Sequence, residues 1–236
     1  MADPGRRVRA SRGRPSWRAR FVHLVYATHN DAPAIRRALK RCLSGLAPGR
    51  TGLNVGSGDT DLHPSLVNVD LRPGPSVSCC ARAESLPFRS DSFALVISQE
   101  TLEHVPDPWH ATAEIHRVLR PGGTFYCQLP FVIGYHPGPT DYWRFTREGI
   151  RELLERAGFR CEEVSIAVGG GTALYRIAVE FVAVSLGRMV PPAYHAFKGV
   201  AALLLYPIKW LDSVLSGAPQ ADRIAGGYYA IGRKAG

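Results

Sequence analysis

The residues of this chain best suited to chemistry begin at Leu53-Asn54-Val55-Gly56-Ser57-Gly58-Asp59, a short apolar run that enters a Gly-x-Gly turn. Glycines in such a turn adopt positive φ without steric cost and let the backbone approach a ligand closely. Alone the pattern is shared by many loops. Here Asn68-Val69-Asp70-Leu71 follows, a second short strand ending in a carboxylate, and a carboxylate at that place can accept both hydroxyls of a ribose. The third glycine of a dinucleotide fingerprint is missing, with His63 at its position, which argues against a nicotinamide cofactor. Further along, His104 stands in a Leu-Glu-His-Val turn. The segment Pro130–Phe145 is dense in aromatic and polar groups, among them His136, Asp141, Tyr142, Trp143 and Arg144.

The elements that must hold these residues follow from periodicity and turn chemistry. Thr51–Val55, Leu66–Asp70, Ser76–Cys80, Phe93–Ser98 and Thr124–Leu129 read as short buried strands, with Cys161–Val168 and Ala225–Arg233 as two more. A helix is expected over Asn30–Leu46, with Asn30 and Asp31 as caps, Pro33 in the first turn and Gly45 as a stop. Another covers roughly Pro108–Leu119, ended by Pro121-Gly122-Gly123, and a third runs from a Thr146 cap to Ala157 with Gly158 behind it. Strands alternating with helices in this way predict a mainly parallel sheet covered by helices. Between the last two strands an insertion at about 172–216 carries two apolar segments, Thr172–Val190 and Tyr194–Ser216, parted by Pro191-Pro192. It reads either as helices that cap the core or form a homodimer face, or as a shallow peripheral contact with a membrane surface.

In order, Gly56 to Gly58, Asp70, Ala83-Glu84-Ser85-Leu86-Pro87-Phe88, Asp91-Ser92-Phe93-Ala94-Leu95-Val96-Ile97-Ser98, Leu102-Glu103-His104-Val105-Pro106-Asp107-Pro108 and His116-Arg117-Val118-Leu119-Arg120-Pro121-Gly122-Gly123 resemble successive motifs of class I S-adenosylmethionine-dependent methyltransferases of the UbiE/small-molecule type. The resemblance covers roughly residues 50 to 130. It implies an α/β, Rossmann-like seven-stranded sheet ordered 3-2-1-4-5-7-6, strand seven antiparallel, with helices on both faces and the helical insertion before the last strand. It also implies S-adenosyl-L-methionine as cofactor: Gly56, Ser57 and Gly58 at its methionine portion, Asp70 at the ribose, Ala83 and Glu84 flanking the adenine, and Ser98 and Gln99 facing the methionine end. Asn54 and Leu71 are expected to complete that set. Two departures stand out. The segment from Gly58 to Asp70 is too short for the usual helix and contains Pro64, so a loop with a residual turn is expected. Arg82 falls where many relatives carry an Asp that accepts from the adenine, and an arginine cannot accept a hydrogen bond.

Beyond residue 130 the sequence His136-Pro-Gly-Pro-Thr-Asp141-Tyr142-Trp143-Arg144-Phe145-Thr146 is similar to methyltransferases associated with polysaccharide and cell-envelope synthesis. In such enzymes the loop would lie beside the methyl group. A hydroxyl acceptor needs its proton removed, and His136 is the first choice as base, with Asp141 to orient it and His104 as a competitor. Tyr142, Trp143 and Arg144 would bind a sugar, a phosphate or an aromatic ring. No metal is called for. O-methylation of a sugar, glycan or lipid-linked intermediate is the leading reading of the acceptor, a secondary-metabolite small molecule the second. A catalytically inactive cofactor-binding protein or an RNA-binding module stands as a rival from another class.

Composition bounds these readings. The chain has 236 residues, 45% hydrophobic and 21% charged, enough for one α/β domain over 21–236. Its net charge of +9 invites a nucleic-acid partner, but residues 1–20 hold seven arginines against one Asp, leaving +3 for the rest. That stretch reads as a basic solvated tail, with a transit peptide or a misplaced start codon as alternatives. Aromatic-basic interleaving is missing from the core, which makes nucleic acid a poor partner. Five cysteines without paired CxxC spacing fit neither a disulfide framework nor a zinc site, so a reducing cytoplasm is expected, with a peripheral place at the membrane as the alternative if the insertion makes that contact.

Overall fold

The apolar runs become strands β1 (Gly52–Val55), β2 (Leu66–Asp70), β3 (Cys79–Cys80), β4 (Phe93–Gln99), β5 (Leu119–Pro130), β6 (Phe159–Val168) and β7 (Gly227–Lys234) of a single sheet in a computed structural model. The structure describes residues 32–47, 49 and 51–236; the basic tail and the expected caps Asn30 and Asp31 lie outside them. Strand order is β3-β2-β1-β4-β5-β7-β6, the expected one. β1 pairs in parallel with β2 and β4, β4 with β5, and β7 runs antiparallel between β5 and β6.

Period-two alternation along the central strands explains why both faces are covered. Val96 of β4, Phe125 and Cys127 of β5, and Tyr228 and Ala230 of β7 pack with Ala111, Ile115 and Val118 of helix α2 (Pro108–Val118) and with Ile150, Leu153 and Leu154 of α3 (Arg147–Arg156). Their neighbours Leu95, Ile97, Tyr126, Tyr229 and Ile231 face the other way and meet Ile35 and Ala38 of α1 (Pro33–Ser44). Thr146 caps α3 by accepting from the Gly149 amide at 3.0 Å, and Gly158 takes φ 93° behind it, as expected.

Several boundaries move for local reasons. Residues 56–65 form only turns, so the helix usual after β1 is absent and the chain passes directly to β2. β3 shrinks from the expected Ser76–Cys80 to two residues, because Ser76 and Ser78 turn their polar groups to Asn68. β5 starts at Leu119, not Thr124: Leu119 leaves α2 in extended geometry and pairs with Phe93, and Gly122 at φ 71° absorbs the irregularity before the ladder resumes at Thr124.

β6 ends at Val168, whose carbonyl accepts from the Gly226 amide at 2.8 Å. The insertion between these points therefore leaves and re-enters the sheet at the carboxyl edge of the parallel strands. It comprises α4 (Gly170–Gly187), α5 (Tyr194–Leu205), a 3-10 stretch (Tyr206–Leu211) and the short α6 (Asp212–Leu215). The second expected segment is thus broken at Pro207, which cannot continue α-helical hydrogen bonding. Tyr175 and Val179 of α4 meet Ala201 and Ala202 of α5 in a small core of their own.

Candidate active site

The cleft lies at the carboxyl edge of β1, β2 and β4, where open α/β sheets bind ligands. Its walls include Val55, Gly56, Gly58, Asp70, Leu71, Ala83, Glu84, Glu100, Thr101 and His104. β1 turns out of the sheet at Gly56, whose φ is 73° and whose amide donates to the Val69 carbonyl at 2.8 Å. A side chain at Gly56 would overlap Thr101, which is tied to the Gln99 carbonyl at 3.0 Å. Gly58, at φ 49°, has open space where a Cβ would sit, and its amide donates to Asp70 Oδ2 at 2.8 Å. Asp70 Oδ1 accepts from the Arg72 amide at 3.0 Å. The Asp70 carboxylate thus fastens the glycine turn to the tip of β2 while keeping lone pairs for a ligand.

Other expected cofactor residues are placed differently. Asn54 is buried and donates to Asn68 Oδ1 at 3.1 Å, and Ser57 is buried with its hydroxyl on the Gly58 carbonyl; both support the turn from behind. Ser98 is buried inside the sheet, and Gln99 donates to Gln128 Oε1 at 3.1 Å; neither forms the cleft wall. The reason is the length of β4: the chain leaves the sheet only at Glu100, at φ 50°, so Glu100 and Thr101 take the place expected of Ser98 and Gln99. Arg82 pairs with Glu84 at 2.9 Å on the rim. His63, at the place of a third glycine, accepts from the Ser65 amide and caps the entry to β2.

At the β4 end, a 3-10 turn (Leu102–His104) points two titratable groups toward the loop after β5. Glu103 is wholly buried, with its Oε1 at 3.6 Å from His104 Nε2 and 3.6 Å from His136 Nε2. Burial pushes its carboxyl up to about 7, opposed by the His136 imidazole beside it. His136 is raised in turn by Glu103, against its own burial. His104 Nδ1 stands 2.5 Å from the Thr140 carbonyl and His136 Nδ1 2.9 Å from the Gly134 carbonyl. Each Nδ1 can donate to its carbonyl, although Arg144 Nη2 also stands 3.3 Å from His136 Nδ1, and both rings turn Nε2 toward Glu103.

The remaining loop residues build the frame. Arg144 grips Asp141 with two bonds of 2.5 and 2.6 Å and also reaches the Ile133 and Gly134 carbonyls, and this holds the Asp141 carboxyl well below the usual carboxylate range. Asp141 accepts from the His136 amide at 2.8 Å, which orients the histidine's backbone. Trp143 donates to the Val105 carbonyl at 3.1 Å and packs edge-on against Trp109. Trp143 and Arg144 are therefore spent on structure, whereas the Tyr142 ring stays half exposed. Glu103 carries no role in the sequence reading; a carboxylate between Leu102 and a histidine, in a turn that must pack, is the signal that could have singled it out.

Residues 58–127 match the family model of a methyltransferase domain. The chain is 32% identical over 153 residues to an uncharacterized methyltransferase of Mycolicibacterium paratuberculosis, covering 52% of this chain and 60% of that one. It is 32% identical over 112 residues to a probable S-adenosylmethionine-dependent methyltransferase of Mycolicibacterium smegmatis, covering 44% and 41%. The match spans less than two thirds of either relative's length. Among solved structures, phosphoethanolamine N-methyltransferase 2 of Haemonchus contortus in complex with S-adenosyl-L-methionine superimposes with a TM-score of 0.53 at 17% identity, over 92% of this chain and 56% of that one. The [4+2]-cyclase SpnF also gives 0.53 at 17% identity, over 91% and 93%. Residues 58–127 thus match a methyltransferase domain, and the fold is the one these solved structures share; SpnF, named for a cyclisation, illustrates that fold by itself does not choose the reaction.

Proposed function

We propose that this chain, which carries a methyltransferase domain on the class I fold, binds S-adenosylmethionine and methylates an oxygen of an amphiphilic sugar, glycan or lipid-linked acceptor. The observation that carries the reading is the cleft itself. Gly58 leaves open space where a side chain would sit, Asp70 presents a carboxylate at the tip of β2, and Ala83 and Glu84 line the same cleft, which supports an adenine on that side. These residues fit the cofactor: the glycine turn would hold its amino-acid portion, Asp70 its ribose, and Glu100 with Thr101 would line the far side. Bound there, S-adenosylmethionine supplies a methyl group on a sulfonium, whose sulfur keeps the bonding pair and leaves as a thioether. The protein's task is to orient the acceptor in line and to take up its proton. His104 is the group at the cleft wall suited to that, with Glu103 and His136 behind it; Tyr142 is the exposed ring for the acceptor.

The preference for an amphiphile rests on the insertion. It emerges at the same edge as the cleft and exposes Phe181 (71%), Leu204 (73%), Trp210 (68%) and Val214 (75%), and its Arg188 is exposed as well. Exposed apolar side chains on helices of one insertion suit shallow contact with a lipid surface. Among the described residues no helix is long and apolar enough to cross a membrane. A soluble secondary metabolite as acceptor would need no such surface.

Calorimetric titration with S-adenosylmethionine, repeated with Asp70→Ala and with NAD as control, tests the core of the reading. Micromolar binding weakened about tenfold or more by Asp70→Ala is expected, since a charged hydrogen bond contributes roughly 1.5–3 kcal/mol. A folded wild-type chain that binds no S-adenosylmethionine overturns the proposal.

A further inference from the structure

Three donor atoms converge behind the cleft wall in a way that hydrogen bonding does not account for. Glu103 is fully buried and neither of its oxygens has a hydrogen-bond partner, and His136 Nε2 is buried and likewise unpaired. The 3.6 Å from Glu103 Oε1 to each imidazole Nε2 is too long for a hydrogen bond. It is close to another distance: two ligands about 2.0–2.1 Å from one zinc-like ion, at a tetrahedral angle, stand roughly 3.3–3.4 Å apart. One donor atom from each of Glu103, His104 and His136 lies within 4.8 Å of the others, so the two Glu103 pairs stand at ligand spacing and the imidazoles would close on an ion by side-chain rotation. Both histidines have the outer partners that metal ligands use, since each Nδ1 lies within hydrogen-bond distance of a backbone carbonyl to which it can donate when Nε2 is a ligand.

We propose that Glu103, His104 and His136 bind a divalent transition-metal ion of the zinc type. Two imidazoles and one carboxylate suit such ions and satisfy three of four tetrahedral positions. The loop is braced for it: Asp141, clamped by Arg144, holds the His136 backbone, and the Glu103 carbonyl receives the Tyr142 amide at 2.8 Å. The fourth position is directed at the cleft, because His104 lines it and Gly138, also at its wall, has no side chain in the way; a Cβ there would stand 3.7 Å from His104 Nε2. An oxygen ligand is the class that position would take. An ion there occupies the His104 Nε2 lone pair, so in the metal-bound chain His104 is a ligand and not the proton acceptor. Only the identification of the fourth ligand with the methyl acceptor rests on the methyl-transfer reading; the three protein ligands do not.

The test uses the full chain, freed of metal with a chelator and titrated with Zn²⁺ by calorimetry and with Co²⁺ by visible absorption. One ion per chain is expected, with the intense d–d bands of a four-coordinate site and a raised thermal midpoint. Glu103→Gln and His136→Ala should each weaken Zn²⁺ binding by more than the roughly 10- to 100-fold that loss of an outer partner costs. His195→Ala, an exposed histidine elsewhere, should bind as wild type. Glu103→Gln nearly preserves shape, so a native thermal transition without metal shows that its loss of binding is not unfolding. Wild type that binds no Zn²⁺, or both site variants binding it as tightly as wild type, overturns the site. The two proposals fail separately: Zn²⁺ binding without S-adenosylmethionine binding removes the methyltransferase reading and leaves the metal site, and the reverse removes only the metal.

Discussion

Two glycines only one residue apart in the turn after β1 have different reasons for being glycine. At Gly56 a side chain meets both positive φ and the Thr101 side chain, so Gly56→Ala should cost about 2–4 kcal/mol in urea denaturation, strain and overpacking together. At Gly58 the space is open, and only the left-handed backbone opposes a methyl. Gly58→Ala should cost about 1 kcal/mol. Because that space is the proposed ligand cradle, the same variant should weaken S-adenosylmethionine binding by more than its stability cost suggests. Equal effects of the two substitutions on stability would show that Thr101 can move aside. These two glycines and Asp70 were legible from sequence because glycine and a strand-end carboxylate are local signals. The placing of Ser98 and Gln99 was not legible, because whether β4 ends at Ser98 or runs to Gln99 depends on its pairing with β5, which is not local.

At the scale of elements, the insertion is locked by one carboxylate from its far end. Asp212 accepts from the Gly171 amide at 2.7 Å, the Thr172 amide at 3.1 Å and the Thr172 hydroxyl at 2.5 Å, capping the first turn of α4 across 40 residues. Asp212→Ala should cost about 1–2 kcal/mol and expose the insertion to limited proteolysis before the rest of the chain. Unchanged protease resistance would mean that the small core around Tyr175 holds the insertion alone. On α2, His116 packs edge-on to Phe159, and burial, with Lys234 nearby, lowers its pKa below the ordinary 6.5. The unfolded chain therefore binds the proton more readily, so this contribution is whole above about pH 6.5 and is lost as pH falls through the folded-state value. His116→Gln should flatten the fall of the urea midpoint between pH 7.5 and 5.5; an identical fall in variant and wild type counts against it.

At the scale of the molecule, the proposed contact with a membrane surface rests on the exposed apolar side chains of the insertion. Phe181→Ser combined with Leu204→Ser should leave stability within about 0.5 kcal/mol for each site, since both are solvent-facing, and should abolish co-flotation with anionic lipid vesicles. A wild-type chain that does not float with vesicles at low salt sinks that part and favours a soluble acceptor. Strand order was legible in advance because the motifs arrive in a fixed sequence and right-handed connections between parallel strands leave few topologies. Less of the β4 end was legible: His104 and His136 read as rival bases, and the buried carboxylate that folding sets between them, Glu103, has no local signature.

What this sequence determined by itself was what acts over a few residues: apolar runs that become strands, Thr146 and Gly158 at the ends of α3, the glycine turn, and the carboxylate at the tip of β2. Burial and long-range pairing decided the rest. Trp143 and Arg144 look like binding residues in a list, yet they are consumed by the Val105 carbonyl and by Asp141 once the loop closes. Glu103 looks like a solvated turn residue, yet closure of that loop over the turn buries it and sets two histidines 32 residues apart around one oxygen. A contact between residues so far apart has no local sequence signature, because its energy comes from desolvation and convergence that exist only after the chain has folded.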